Sequence, residues 1–184
     1  MIIKKPIKDF DLSFIDTEFT GVGLEHELIE IAVIRVNSFN FSVLDEWEAK
    51  IKPQHIELAQ EEALKINGYN EKDWENAMEP KEALEKFLEK VDGSMLVGHN
   101  LSNDWFYICK ALLENNLAPT FFYKNIDTFS LAWQKLRNDK NIKTLSLGEL
   151  TRYFGITREK PHSALDDART AYKVFLKLID VNGQ

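Results

Sequence analysis

The segment LSFIDTEF, residues 12–19, sets two carboxylates, Asp16 and Glu18, two positions apart inside an apolar run. A run this short and this apolar reads as a β-strand, and a period of two places both acids on one face. Neighbouring anions in apolar surroundings repel each other and are costly to take out of water. The strand must therefore either end in solvent with both acids hydrated, or hold them against a cation.

The stretches that follow indicate what surrounds this strand. Residues 28–36, LIEIAVIRV, are rich in β-branched side chains and alternate well. Glu30 lies between isoleucines and is expected on the face opposite theirs. A third strand is expected over 40–51, ended by Pro53. Three strands with short links suggest an antiparallel meander. The period then becomes helical, over 57–66 and over 79–91. In the second of these, Ala83, Leu84, Phe87, Leu88 and Val91 form one apolar stripe, and Pro80 suits a first turn. Residues 94–98 read as a short buried strand. A helix should start near Ser102–Asp104 and run to Asn115–Asn116. A strand near 121–127, a helix at 128–138, a helix capped by Ser146 and stopped by Gly155, and a long helix at about 163–180 complete the chain. This order predicts an α/β layered domain with a central mixed five-stranded sheet, three antiparallel strands first, flanked by helices.

No repeat, low-complexity tract or Pro/Gly-rich linker divides the 184 residues, so the expectation is a single domain over 1–184. No apolar run approaches the roughly 20 residues that span a bilayer, so no membrane association is expected. The first residues lack the pattern of a secretory signal, and one cysteine, Cys109, cannot form an internal disulfide. Together these predict a cytoplasmic location. The net charge of −7 is distributed unevenly. Residues 45–92 carry 14 acidic and 7 basic side chains, whereas 93–184 carry 9 acidic and 12 basic. Lys135, Arg137, Lys140, Lys143, Arg152, Arg158, Lys160 and Arg169 are the candidate phosphate contacts, against the alternative of a solvated mixed surface. Such weak basicity suits a short or single-stranded nucleic acid better than a long duplex.

Two further stretches carry chemistry. GHNLSNDWFYI places Asp104 at a helix start, where an acid serves as a cap or dipole partner, or as a ligand; the residues alone leave both open. His99 and Asn100 directly follow the strand at 94–98, where loops hold functional groups, although His99 alone reads as a structural hydrogen-bonder. In PHSALDDARTAYKVF, His162 precedes the last helix, with Asp166 and Asp167 in its first turn. Helical rotation separates those two by about 100°. Asp167 borders the buried side beside Ala168 and Ala171, so Asp166 is expected to be a solvated dipole partner. Taken together, Asp16, Glu18, Asp104 and Asp167 with His162 describe a two-metal hydrolytic site. Mg²⁺ and Mn²⁺ prefer oxygen ligands and leave positions for phosphate and water. Two such ions about 4 Å apart stabilise the attacking and leaving oxygens of a phosphodiester, and a neutral imidazole takes the water's proton.

These motifs resemble the DEDDh 3′–5′ exonucleases of the ribonuclease H-like fold, which include proofreading polymerase subunits, ribonuclease T and oligoribonucleases. The first motif is similar to Asp16-Thr17-Glu18-Phe19-Thr20-Gly21. The second resembles His99-Asn100 with Asp104, and the third His162-Ser163-Ala164-Leu165-Asp166-Asp167-Ala168. The spacing in the third motif also selects Asp167. Asp127-Thr128 resembles a further pair that caps a helix. The resemblance runs from about Phe14 to Leu178. It implies that Asp16, Glu18, Asp104 and Asp167 hold two Mg²⁺ or Mn²⁺ ions and that His162 is the general base. It also implies that Phe19, Thr20 and Val22 lie against the terminal nucleotide, and that Asn100 helps position the substrate or its loop. The implied partner is the 3′ end of single-stranded DNA or RNA, and the implied products are nucleoside 5′-monophosphates.

The chain departs from the family pattern in places. Phe19 stands where Thr is commoner and offers a base-stacking face. Asn103 replaces a usual Phe, so its packing role passes to Trp105 or Phe106. Asn67-Gly68 sits where His-Gly is common. The third motif's continuation leans toward proofreading enzymes and the first motif's aromatic leans the other way, giving a weak preference for DNA. Association with a polymerase or with a second copy is left open. Two other readings compete: a non-catalytic interaction module on this fold, and a haloacid-dehalogenase-type phosphatase suggested by FIDTEFT. The second needs an Asp where Glu18 stands.

Overall fold

The structure is a computed structural model and describes residues 6–159 and 163–179. Five strands form one sheet in the order β3-β2-β1-β4-β5. These are β1 (Leu12–Phe19), β2 (Leu28–Val36), β3 (Val43–Lys50), β4 (Met95–Gly98) and β5 (Phe122–Asp127). The β1–β2 and β2–β3 pairs are antiparallel, and the β1–β4 and β4–β5 pairs parallel. This is the expected mixed sheet of a ribonuclease H-like fold.

Among the described residues six α-helices cover it: α1 (Glu61–Asn67), α2 (Pro80–Val91), α3 (Ser102–Glu114), α4 (Thr128–Leu136), α5 (Leu147–Phe154) and α6 (Ala164–Leu178). Strand alternation sorts the core into two layers. Ile15, Ile31 and Val33 face α2 and α3, packing with Leu84, Phe87 and Ile108. Phe14, Ala32 and Ile34 face α6, packing with Ala164, Ala168 and Phe175. A third cluster joins α4 and α5 to the far end of α6 through Ala132, Leu136, Leu150 and Val174. Among the described residues no helix is long and apolar enough to cross a membrane.

The helix expected over 57–66 is broken. A 3₁₀ turn occupies Ile56–Leu58, and α1 begins only at Glu61. Ala59 is extended, and the Gln60 N–H donates to the Thr20 carbonyl at 2.8 Å. That bond pulls the chain out of helical geometry and ties α1 to the end of β1. Other element ends agree closely with the sequence reading. Ser146 caps α5 by accepting from the Glu149 N–H, and Gly155 ends it in the left-handed region.

One topological detail positions the site. β1 pairs with β4 only from Leu12 to Phe14, so the last five residues of β1 have no partner on that side. The neighbouring connections leave β1 toward opposite edges of the sheet. Open α/β sheets present their ligand crevice at such a point, beyond the carboxyl ends of the parallel strands. Gly98 ends β4 against this opening. A Cβ there would lie 2.6 Å from Leu101 Cδ1 and 3.3 Å from the Ile15 carbonyl oxygen.

Candidate active site

Asp16 and Glu18 stand on the α6 face of β1, as period two requires. Asp167 reaches them from the first turn of α6. Carboxylate oxygens of all three lie within 4.8 Å of one another. Asp104 approaches from the opposite layer through the gap beside β1. It is buried in the first turn of α3 without capping it: Leu101 holds the cap position, and the Asp104 carboxylate accepts from the Thr17 hydroxyl at 2.5 Å. Thr17 lies between the two acids of β1 and points to the other face. One strand therefore presents two carboxylates to one side and anchors a third from the other. Four of the five predicted residues converge in this way. His162 lies outside the described residues.

The cluster is electrostatically unfavourable by itself. Burial pushes Glu18 up to about 8, with the charges of Asp167, Glu30 and Asp104 adding to it. Burial also holds Asp16 well above the usual carboxylate range, reinforced by Asp104, Asp167 and Glu18. Asp104 is raised to about 7 by burial, against the Thr17 hydrogen bond, which favours its charged form. Oxygen-rich groups converge where burial, with the repulsion between the anions added to it, favours the protonated forms. That is the donor set of a hard divalent cation.

Several residues around the cluster escaped sequence reasoning. Glu30 is directly opposite Glu18 in the β1–β2 ladder, is 5% exposed, and accepts from the Ala164 N–H at 3.0 Å. It thereby fixes the start of α6 and adds negative potential. The alternation of 28–36 gave its face, but only the ladder register reveals its partner. Arg158 donates to the Asp167 carboxylate and is itself largely buried. Asp166, expected in solvent, is instead buried at 8% exposure and accepts from the Glu159 N–H at 3.2 Å. Arg158 and Glu159 return to the first turn of α6, which a helical wheel cannot show.

The residues expected against a nucleotide are placed unequally. Val22 is 82% exposed at the lip of the β1–β2 loop. Phe19 is half-buried with one ring face stacked on Tyr107, centroids 4.0 Å apart, and its carbonyl accepts from Asn67 Nδ2 at 2.9 Å. Only part of its expected stacking face remains open. Thr20 is 1% exposed, and its backbone N–H and carbonyl pair with Glu27 and Gln60. Its backbone is thus committed within the protein, where a contact to the terminal nucleotide was expected. Asn100 is exposed, in the left-handed region at φ 60°, with its N–H on Asp127. Asp127 caps α4 by accepting from the Phe129 N–H at 2.8 Å, as expected for that pair. His99 is a structural hydrogen-bonder, 2.9 Å from the Thr128 hydroxyl, and burial lowers its pKa. Trp105 takes the packing role, edge-on to Phe121, while Asn103 and Phe106 are exposed.

The basic candidates also divide. Lys135 donates to the carbonyls of Lys177 and Leu178 at the end of α6, and Arg169 pairs with Glu46. With Arg158 on Asp167, and Arg137 and Arg152 donating to the carbonyls of Gln134 and Gly148 in their own helices, five of the eight make hydrogen bonds within the protein. Lys160 lies outside the described residues.

The family described as exonuclease (RNase_T) matches residues 13–175. Among curated proteins, the chain is 27% identical to the PolC-type DNA polymerase III of Thermotoga maritima, over 93% of this chain and 12% of that protein. It is 25% identical to Protein NEN2 of Arabidopsis thaliana, over 90% of this chain and 34% of that protein. The chain thus spans about an eighth of the first of these and a third of the second. Among solved structures, E. coli exonuclease I in complex with a dT13 oligonucleotide superposes with a TM-score of 0.76 at 20% identity. That match covers 91% of this chain and 41% of that one. The nuclease domain of 3′hExo, a DEDDh family member bound to rAMP, gives 0.77 at 18%, covering 94% and 92%.

Proposed function

This chain belongs to the exonuclease family whose model matches residues 13–175, and on that footing we propose that it is a DEDDh 3′–5′ exonuclease, releasing nucleoside 5′-monophosphates one at a time from the 3′ end of single-stranded nucleic acid, DNA in preference to RNA. The observation that carries this reading is the convergence of Asp16, Glu18 and Asp167 within 4.8 Å, with Asp104 closing on them from the other layer.

Asp16, Glu18, Asp104 and Asp167 would hold two Mg²⁺ or Mn²⁺ ions. When bound, such ions supply Lewis acidity to the phosphodiester and offset the charge that develops on it. The chain's own groups do the rest. Thr17 orients Asp104, and Glu30 fixes the turn that presents Asp167. His162, two residues before the start of α6 at Ala164, accepts the proton of the attacking water on an imidazole nitrogen. Val22 and the open part of Phe19 meet the terminal nucleotide, and Asn100 helps position the substrate beside His99.

The test is digestion of matched 5′-labelled single-stranded DNA and RNA oligomers with Mg²⁺ or Mn²⁺, products resolved by length. A ladder shortening from the 3′ end is expected. Asp16→Ala and His162→Ala should each cut the rate by about a hundredfold or more while the protein stays folded. A wild-type protein inert on both polymers with every metal would overturn the proposal.

A further inference from the structure

A second surface feature lies on α4 (Thr128–Leu136). The buried side of this helix is Thr128, Ala132 and Leu136. On its other side Phe129 and Trp133 stand in solvent, 37% and 53% exposed. Two large rings partly open to solvent on one face of a short helix form a patch that can take an occupant. They are one helical turn apart, about 6 Å along the axis, and therefore share a face. Arg137 continues the same line and stacks its guanidinium on Trp133, 4.8 Å from the ring centroid.

The segment is also positively charged, although Lys135 within it is turned to the carbonyls at the end of α6. Residues 128–143 carry Lys135, Arg137, Lys140 and Lys143 against one acid, Asp139. Asp139 is itself held by the Tyr153 hydroxyl at 2.7 Å. Arg137, Lys140 and Lys143 are exposed and make no ion pair among the described residues. In a chain of net charge −7 this is a local reversal of sign.

The ridge begins at the carboxyl end of β4, which borders the opening beside β1. His99 lies edge-on to Phe129, ring centroids 6.3 Å apart, and it also feels the charge of Asp167 and the backbone of Leu145. The aromatic line thus starts beside His99, the residue that follows the end of β4 at Gly98. Aromatic faces interleaved with cations fit unpaired bases and their phosphates, whatever the sequence of the strand.

We propose that Phe129, Trp133 and Arg137 form a track for the single strand behind its 3′ end, stacking bases several nucleotides upstream of the one being removed. The proposal rests on the exonuclease reading for its direction, but not for its test.

Binding of fluorescein-labelled oligothymidylates of three and twelve nucleotides is measured by anisotropy in EDTA, on the whole chain. Wild type is compared with Phe129→Ala/Trp133→Ala and with Arg137→Glu, with Tm and circular dichroism as folding controls. The longer oligomer should bind wild type at least about tenfold more tightly than the shorter. The double variant should lose about tenfold or more on the longer and little on the shorter. Arg137→Glu should weaken the longer oligomer and flatten its salt dependence. Equal affinity for both lengths in wild type would overturn the track, as would unchanged binding of the longer oligomer by the variants. The latter outcome would leave the ridge as a protein-docking surface. Failure of the exonuclease reading is separately visible, as a wild-type protein that binds the longer oligomer and cleaves nothing when Mn²⁺ is added.

Discussion

The Thr17 hydroxyl donates to the Asp104 carboxylate at 2.5 Å, across 87 positions of sequence. This bond crosses the sheet, because Thr17 faces α3 while its neighbours Asp16 and Glu18 face α6. It holds a fourth acid against a cluster that repels it, and it favours the charged form of that acid. Thr17→Val keeps the shape and removes the donor. Affinity for Mn²⁺ should fall by about 10–100-fold, the usual cost of losing a group that orients a ligand. Stability should fall by only about 1 kcal/mol. Calorimetric titration with Mn²⁺ checks the first and urea unfolding the second; unchanged affinity would mean that Asp104 is held by α3 alone.

The carboxylate cluster should make metal-free stability depend on pH in an unusual direction. Glu18 rises from 4.5 to about 8, and Asp104 from 3.8 to about 7. A raised folded-state pKa means that the folded protein retains protons the unfolded chain has released. The contribution is present below about pH 4 and is lost as pH rises toward 8. In EDTA, wild type should therefore lose Tm relative to Glu18→Gln between pH 5 and 8. Saturating Mn²⁺ at pH 8 should restore about 5 °C or more to wild type. Thermal melts across pH, with and without metal, give the comparison. Parallel curves for the two proteins would show that Glu18 titrates normally.

Tyr107 supports the loop that carries Val22. Its hydroxyl donates to the Gly21 carbonyl at 2.8 Å and accepts from the Gly23 N–H at 3.0 Å, while its ring stacks on Phe19. Tyr107→Phe keeps the stack and frees the loop. If Val22 meets the terminal nucleotide, KM on an oligonucleotide should rise about 3- to 10-fold with kcat nearly unchanged, because the loop contributes binding and not chemistry. A matched loss in kcat would instead place the loop in the transition state.

Gly98 allows the end of β4 to close on β1. A methyl group there meets Leu101 at 2.6 Å and the Ile15 carbonyl at 3.3 Å. Gly98→Ala should cost about 1–3 kcal/mol and weaken Mn²⁺ binding, since Asp104 enters through this gap. Urea unfolding and metal titration read both effects. Full stability with intact binding would show that Leu101 swings clear.

The sequence by itself determined what repeats locally. The period of two in 12–19 put Asp16 and Glu18 on one face, and the alternation of 28–36 turned Glu30 away from its isoleucines. Ser146, Gly155 and Asp127-Thr128 marked helix ends, because caps depend on a few adjacent residues. The motif spacing chose Asp167 over Asp166. Only the tertiary structure decided what depends on register and crossing. It set Glu30 opposite Glu18, aimed Thr17 at Asp104, returned Arg158 to Asp167 and buried Asp166 beside Glu159. It also showed that Thr20 is engaged within the fold and that Phe19 offers one face fewer than expected. Period and capping are properties of neighbouring residues. A ladder register, or the gap left where β1 outruns β4, is fixed by packing between segments tens of positions apart. The first motif therefore stated which acids belong together, and the open edge of β1 explains how acids from both layers of the sheet reach one point.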